Sequence, residues 1–227
     1  TGVAFNPEVV NALGADLADQ FLGQANFVGD GKCKTTDADH IQRPGYCWTP
    51  QNNSEDPYGH GTHIAGIIWN KFIVSGMEPD LGVAPDANIL SIRVMGNDGS
   101  GSYIDVIEGL QYAVEAKAQF GIRIVNLSIT AQPTTPYFVD PVSRAVTAAW
   151  QQGLVVLAAA GNTGPTAQSI TVPGNNPYII TVGAYDTNGT AGVEKDDFVA
   201  PWSSTGPTLD GFMKPDVIAP GANIPSY

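Results

Sequence analysis

Two stretches of the sequence carry residue types that could do chemistry. In His60-Gly-Thr-His-Ile-Ala-Gly66-Ile67 an imidazole stands between Gly59 and Gly61, and an Ala/Ile/Gly run suited to a buried helix follows. That spacing places His60 near the start of a helix whose next turn is sunk in the core. Histidine titrates near neutrality, so an imidazole held this way could act as a general base. His63 lies three positions on, on roughly the same helix face. A His-x-x-His pair could hold zinc, but no Glu stands between the two and the metalloprotease pattern is absent. The second stretch is Leu157-Ala-Ala-Ala-Gly-Asn162-Thr-Gly-Pro165. An apolar run gives way to small residues that leave room for another chain or a substrate. Asn162 would sit at the C-terminal end of a buried strand, where open α/β sheets bind ligands. Its amide could donate to a developing oxyanion. The same asparagine also reads as a turn residue ahead of Gly164-Pro165.

The elements that must position these residues follow from periodicity. Asn88–Val94 reads as a buried strand, followed by a Gly-rich turn over 96–102. Ile104, Ile107, Leu110, Tyr112, Ala113 and Val114 recur at helical spacing, predicting a helix over 103–120 closed by Gly121. Ile122–Leu127 is a short strand, and 138–152 a second amphipathic helix closed by Gly153. Leu154–Ala158 is an uninterrupted apolar strand expected to be buried on both faces, and Tyr178–Gly183 and Asp216–Ala219 are further strands. Apolar strands alternating with helices predict one α/β domain, a parallel, doubly wound sheet with helices on both faces. The polar stretch from Gly14 to Gly59 fits least and reads as a long surface excursion before the first major helix. Its carboxylates, including Asp30, Asp37 and Asp39, could hold a structural calcium ion. A solvated acidic loop is the simpler reading.

Composition narrows the function classes. Twenty-two Asp and Glu against ten Lys and Arg give 227 residues a net charge of −12. That argues against nucleic acid and anionic lipid as partners, since both select basic surfaces. The charged fraction is only 14% against 43% hydrophobic, so the chain can fold around a core rather than stay disordered. No apolar run reaches the roughly 18 residues of a membrane helix, and no basic start with an apolar h-region marks a signal peptide. Two cysteines, Cys33 and Cys47, are too few for a Cys-rich zinc site. They are either free thiols in a reducing compartment or one disulfide closing a polar loop. Their Gly/Asp/Pro/Thr-rich setting and the acidic composition favour the disulfide and an exported protein.

Taken together, several stretches resemble the subtilisin-like serine proteases (subtilases, peptidase S8), in the family's order and over nearly the whole chain. His60-Gly-Thr-His-Ile-Ala-Gly66 is similar to the histidine motif, which implies His60 as the general base. Gly82-Val-Ala-Pro85 resembles the segment after it. Asp98-Gly-Ser-Gly101 resembles the edge strand that pairs with substrate, implying that Gly99, Ser100 and Gly101 bind it. Asn126-Leu-Ser-Ile129 resembles the strand lining the primary specificity pocket, and Ala158-Ala-Ala-Gly-Asn162 the oxyanion-hole motif, with Asn162 as donor. Ser203-Ser-Thr-Gly-Pro207 and Lys214–Gly221 resemble the run-up to the catalytic serine. Substrate is expected to add to a second edge, Ser128–Thr130, and the implied pocket is walled by Ser128, Ile129, Ala159, Ala160 and the segment near Thr171, all uncharged. Thr130 stands where the family usually has Gly, which narrows it.

The resemblance stops short at both ends. The family's Asp-Thr-Gly or Asp-Ser-Gly and its Gly-Thr-Ser-Met-Ala do not occur in these residues. Ser226 lacks the motif, Ser203 and Ser204 match a different segment, and Asp56 precedes His60 in a loop; none takes a catalytic role. The expectation is therefore a partial subtilisin-like peptidase domain over 1–227, incomplete at both ends. The parent would be a secreted, monomeric endopeptidase acting on polypeptides, with no cofactor for catalysis, while the chain alone would be inactive. A peptide-binding module that keeps the groove without the triad is the alternative.

Overall fold

A computed structural model of the chain describes residues 2–4, 20–28, 47–49, 54–72, 80–190 and 192–226. It divides into two compact units, 1–109 with 225–227, and 110–224.

In the first unit β1 (Phe21–Asn26) is the middle strand of three. It pairs antiparallel with β2 (Cys47–Thr49), Asn26 opposite Cys47. On its other side it runs parallel to β5 (Ile89–Arg93), Gln24 opposite Ser91. Helix α1 (His60–Trp69) follows β2 in sequence. Lys71–Phe72 (β3) and Asp80–Leu81 (β4) form a short antiparallel pair. Helix α1 buries Thr62, Ala65, Gly66 and Trp69, the i, i+3, i+4, i+7 stripe of an amphipathic helix. Val3, Phe21, Ala65 and Trp69 make its core, the Phe21 and Trp69 rings 6.2 Å apart. The Gly82-Val-Ala-Pro85 segment crosses the end of α1. Gly82, Val83 and Ala84 donate their N–H groups to the carbonyls of Asn70, Ile67 and Ile68, which the helix leaves unpaired. A Cβ on Gly82 would lie 2.5 Å from the Trp69 nitrogen, so only glycine fits this approach.

At Phe21–Asn26, strand β1 corrects the reading of 14–59 as a surface excursion. Phe21 and Ala25 are fully buried. Gly23, Gln24 and Asn26 interrupt its apolar run and hid it. They are tolerated because their amides are satisfied: Gln24 Oε1 accepts from Val3 N and Ser91 Oγ, and Asn26 Oδ1 accepts from Val28 N. The proposed calcium carboxylates Asp30, Asp37 and Asp39 lie outside the described residues.

Helix α2 (Tyr103–Glu115) begins in the first unit and ends in the second, and α3 (Lys117–Phe120) follows after Ala116. Together they cover the predicted 103–120. Gly121 closes α3 in the left-handed region at φ 64. Strands β6 (Ile124–Leu127), β7 (Val155–Ala159), β8 (Ile180–Asp186) and β10 (Val217–Pro220) form a parallel sheet in the order β10-β8-β7-β6. The short strand β9 (Phe198–Val199) adds antiparallel to β8. Helix α4 starts at Pro141 rather than at 138, and runs to Gln151. Asp140 caps it by accepting the Ser143 N–H at 2.8 Å, and Pro141 takes the first helical position. Phe138 and Val139, counted into the helix by their spacing, stay exposed ahead of that cap. Burial of β7 on both faces is not observed. Val156 and Ala158 are buried, but Val155 is 46% exposed, and so in part are its partner Ile124 on β6 and Ile180, opposite Leu157 on β8.

Candidate functional site

His60 is the first residue of α1, entered through Gly59 at φ 85. Gly59 has no side chain to cap the helix. The acceptor comes from Asp56, whose Oδ2 takes the Thr62 N–H at 2.8 Å and the Thr62 hydroxyl at 2.9 Å. The Asp56 carbonyl also accepts from Gly59 N. His60 is exposed over much of its surface. Partial desolvation of its ring holds its pKa below the ordinary 6.5, with Asp56 pulling the other way. The carbonyl of His63 accepts from Ser226 Oγ at 2.6 Å. Among the described residues no cluster of His, Cys, Asp or Glu could hold a metal ion, so the two histidines do not extend into one.

The segment Gly99–Gly101, expected as an edge strand, forms a turn. Asp98 Oδ1 accepts the Ser100 N–H at 3.0 Å, and the Ser100 carbonyl accepts from Gly96 N. Both main-chain groups of Ser100 are thereby engaged within the turn. Gly99 sits at φ 77 under the Tyr58 ring, which a Cβ would meet at 2.6 Å. Gly101 packs on the Val94 carbonyl.

In the second unit the remaining predicted residues converge at the C-terminal ends of β6 and β7. Leu127 pairs with Ala158, so Ser128, Ile129 and Thr130 leave the sheet beside Ala159 and Ala160. Ala131 and Val172 exchange two hydrogen bonds of 2.9 Å, which brings in Thr171. Ser128 and Ile129 are half-buried and Thr130 is exposed. Ala160 is buried, and Thr171 spends its hydroxyl on the Ala160 carbonyl at 3.0 Å. Ala160 and Thr171 therefore brace the loop from beneath. Asn162 is exposed, and its amide bonds to no described residue.

Sequence reasoning missed what braces Asn162. Ser204 is fully buried; its N–H donates to the Gly161 carbonyl at 3.0 Å, and its Oγ accepts from Thr163 N at 3.2 Å. Thr205 Oγ1 reaches the carbonyls of Pro165 and Thr166. The signal was present in Ser203-Ser-Thr-Gly-Pro207, small hydroxyl residues with no apolar periodicity of their own. Cys47 on β2 is disulfide-bonded, and Cys33 lies outside the described residues.

The second unit is a parallel sheet whose loops leave the carboxyl ends of its strands, where open α/β sheets bind ligands, and in the first unit α1 opens on an exposed histidine. The family is settled by comparison. The model of the subtilase family (peptidase S8) matches residues 16–227, and the chain belongs to the subtilase family. It is 42% identical over 181 residues to serine protease AprX of Bacillus subtilis, covering 76% of this chain and 40% of that protein. It is 32% identical over 176 residues to subtilisin DY of Bacillus licheniformis, covering 77% of this chain and 55% of that protein. Among solved structures, an S41 psychrophilic protease matches all of this chain and 65% of its own, at a TM-score of 0.71 and 28% identity. Sphericase matches all of this chain and 66% of its own, at a TM-score of 0.71 and 26% identity. The chain thus spans about half the length of the curated relatives it matches.

Proposed function

We propose that the protein is a subtilisin-type serine endopeptidase that hydrolyses peptide bonds through an acyl-enzyme. A serine hydroxyl attacks the scissile carbonyl while His60 takes its proton, and an aspartate orients the imidazole. The oxygen of the tetrahedral intermediate accepts hydrogen bonds from the Asn162 amide and a backbone N–H. His60 then hands its proton to the leaving amine, and water releases the acyl group by the reverse sequence. The serine and the aspartate would come from the family motifs that these residues do not contain. This chemistry needs no cofactor. The observation that carries the assignment is the family match together with an exposed His60 at the first position of a helix.

The substrate is an extended polypeptide adding to exposed main-chain edges near Gly99–Gly101 and Ser128–Thr130. In the first of these the N–H groups of Gly99 and Ser100 and the Ser100 carbonyl are engaged within the turn, so the Gly99 carbonyl and Gly101 offer the main-chain groups. Of the expected pocket walls, Ser128, Ile129 and Ala159 are accessible while Ala160 and Thr171 support them from beneath; none carries a charge, so a large apolar side chain is preferred before the cut bond. A Cys33–Cys47 disulfide, secretion and a monomeric state complete the proposal. No described helix is long and apolar enough to cross a membrane.

The test is turnover of chromogenic peptides by the full-length protein. His60→Ala should lower kcat by about 10⁶-fold, the loss that removing the corresponding histidine causes in subtilisin. A serine-acylating inhibitor should abolish turnover. Full activity in the His60→Ala variant, or dominant cleavage after Lys, Arg, Asp or Glu, overturns the assignment or its specificity, respectively.

A further inference from the structure

We propose that Asp56 and Thr62 are positioning residues for His60: a single chain of hydrogen bonds, from the Asp56 carboxylate through the Thr62 hydroxyl to the Ala4 amide, fixes the first turn of α1 and residues 2–4 against each other. This rests on His60 being the general base. Thr62 gives its one hydroxyl proton to Asp56 Oδ2 at 2.9 Å, which leaves its lone pairs to accept the Ala4 N–H at 2.8 Å. The same Oδ2 takes the Thr62 N–H. With the Gly59 N–H on the Asp56 carbonyl, residues 57–61 are closed within a ring of bonds, and His60 lies inside it.

Each partner fits this role. Gly59 brings no capping side chain, so Asp56 supplies both the missing acceptor and the negative charge that a helix N-terminus favours. Thr62 is buried, which shields its bonds from competing water. Residues 2–4 have a second anchor in Gln24, whose Oε1 accepts the Val3 N–H at 2.9 Å. Gly2 lies against the Gln24 side chain and the Glu55 carbonyl with no room for a Cβ. Asp56 Oδ1 is buried with no partner among the described residues, so the carboxylate is committed to this one arrangement through Oδ2. Its charge also raises the His60 pKa against desolvation, the positive charge of the amino terminus and His63, which together hold it below the ordinary value.

The experiment compares four variants of the full-length protein, with kcat counted per active site by burst titration. His60→Ala should abolish turnover. Asp56→Asn and Thr62→Val should each lower kcat by roughly 10- to 100-fold at a KM changed less than about twofold, the size of loss a sub-ångström misplacement causes. Thr62→Ser keeps both bonds and should restore most of kcat. Asp56→Asn should also move the acid limb of kcat/KM to lower pH, since it removes the charge that raises the His60 pKa. Thr62→Val should leave that limb in place. A merely structural role would lower the active fraction and Tm but leave kcat per site and the limb unchanged. If His60→Ala retains activity, the base assignment fails and this proposal with it. If His60→Ala is inactive while Asp56→Asn and Thr62→Val keep wild-type kcat, only the positioning proposal falls. Should Asp56→Asn fail to fold, the contrast between Thr62→Val and Thr62→Ser decides.

Discussion

Gly161→Ala should damage stability and catalysis together, and the structure sets both sizes. Gly161 lies at φ 117, and an added Cβ would meet Thr171 Cγ2 at 2.6 Å and Ser204 Oγ at 2.7 Å. A side chain in that backbone region costs about 1–3 kcal/mol. Overpacking against two buried side chains adds about 1–3 kcal/mol. Neither neighbour yields freely. The Thr171 hydroxyl is bound to the Ala160 carbonyl and Ser204 Oγ to Thr163 N. The sum, roughly 2–6 kcal/mol, corresponds to a Tm loss of at least about 4 °C for a domain of this size. Restoring ordinary contact at 3.4 Å from 2.6 Å needs a displacement of about 0.8 Å, and Asn162 is the next residue. A shift of that order should lower kcat by up to about 10²-fold, with KM nearly unchanged. The assay is thermal unfolding with peptide turnover on the full-length protein. Gly189→Ala is the control: φ 73 with nothing within 4 Å of the new Cβ leaves only the backbone strain, and kcat should not move. A Gly161→Ala protein with wild-type Tm and kcat would refute the claim that this loop is rigidly braced.

Other outcomes follow from the same geometry. His60 should titrate below 6.5 in ring-proton NMR of this chain; because its folded pKa is depressed, the stability it contributes is present above the unfolded value and lost as pH falls through the folded one. A titration midpoint above 6.5 contradicts the desolvation. Asn162→Ala should lower kcat by about 10²–10³-fold with KM little changed, the loss seen for the corresponding donor of subtilisin. Labelling the unreduced, denatured protein should find no free thiol, since a Cys33–Cys47 bond closes a loop whose chain-entropy contribution is about 3 kcal/mol; two labelled cysteines exclude it.

What could be read from the sequence, and what could not, divides along physical lines. The helices announced themselves through apolar spacing, and Gly121 and Gly153 marked their ends because the left-handed conformation there suits glycine. The parallel strands of the second unit were continuous apolar runs. Strand β1 was hidden because three of its six residues are Gly, Gln and Asn, whose burial depends on partners as distant in sequence as Val3 and Ser91. The start of α4 was missed because Phe138 and Val139 extend the apolar spacing past the Asp140-Pro141 stop. At the site the reacting candidates were legible as types, but their supports were not. A capping box spans three residues. Asp56 caps Thr62 across six, with a glycine at the formal cap position, so no short-range pattern betrays it.

The supports share one chemical logic. Thr62, Thr171, Ser203 and Ser204 are all buried, and each of their hydroxyls bonds to main chain: the Ala4 amide, the Ala160 carbonyl, the Ala184 amide and the Thr163 amide. Such side chains have few rotatable bonds, so ordering them costs little entropy compared with a long polar side chain. Each fixes a backbone segment, and Thr62 and Ser204 bond a side chain as well, to Asp56 and Thr163; a fixed backbone segment carries the next residue with it. His60 and Asn162 stay exposed, while the loops beneath them are held by groups that water cannot reach. An exposed group can be accurately placed only if its constraint is buried, because hydrogen bonds at the surface exchange freely with solvent and hold no fixed geometry. On that ground, removing a buried hydroxyl in either unit should disturb geometry more than a substitution among the exposed pocket walls such as Thr130.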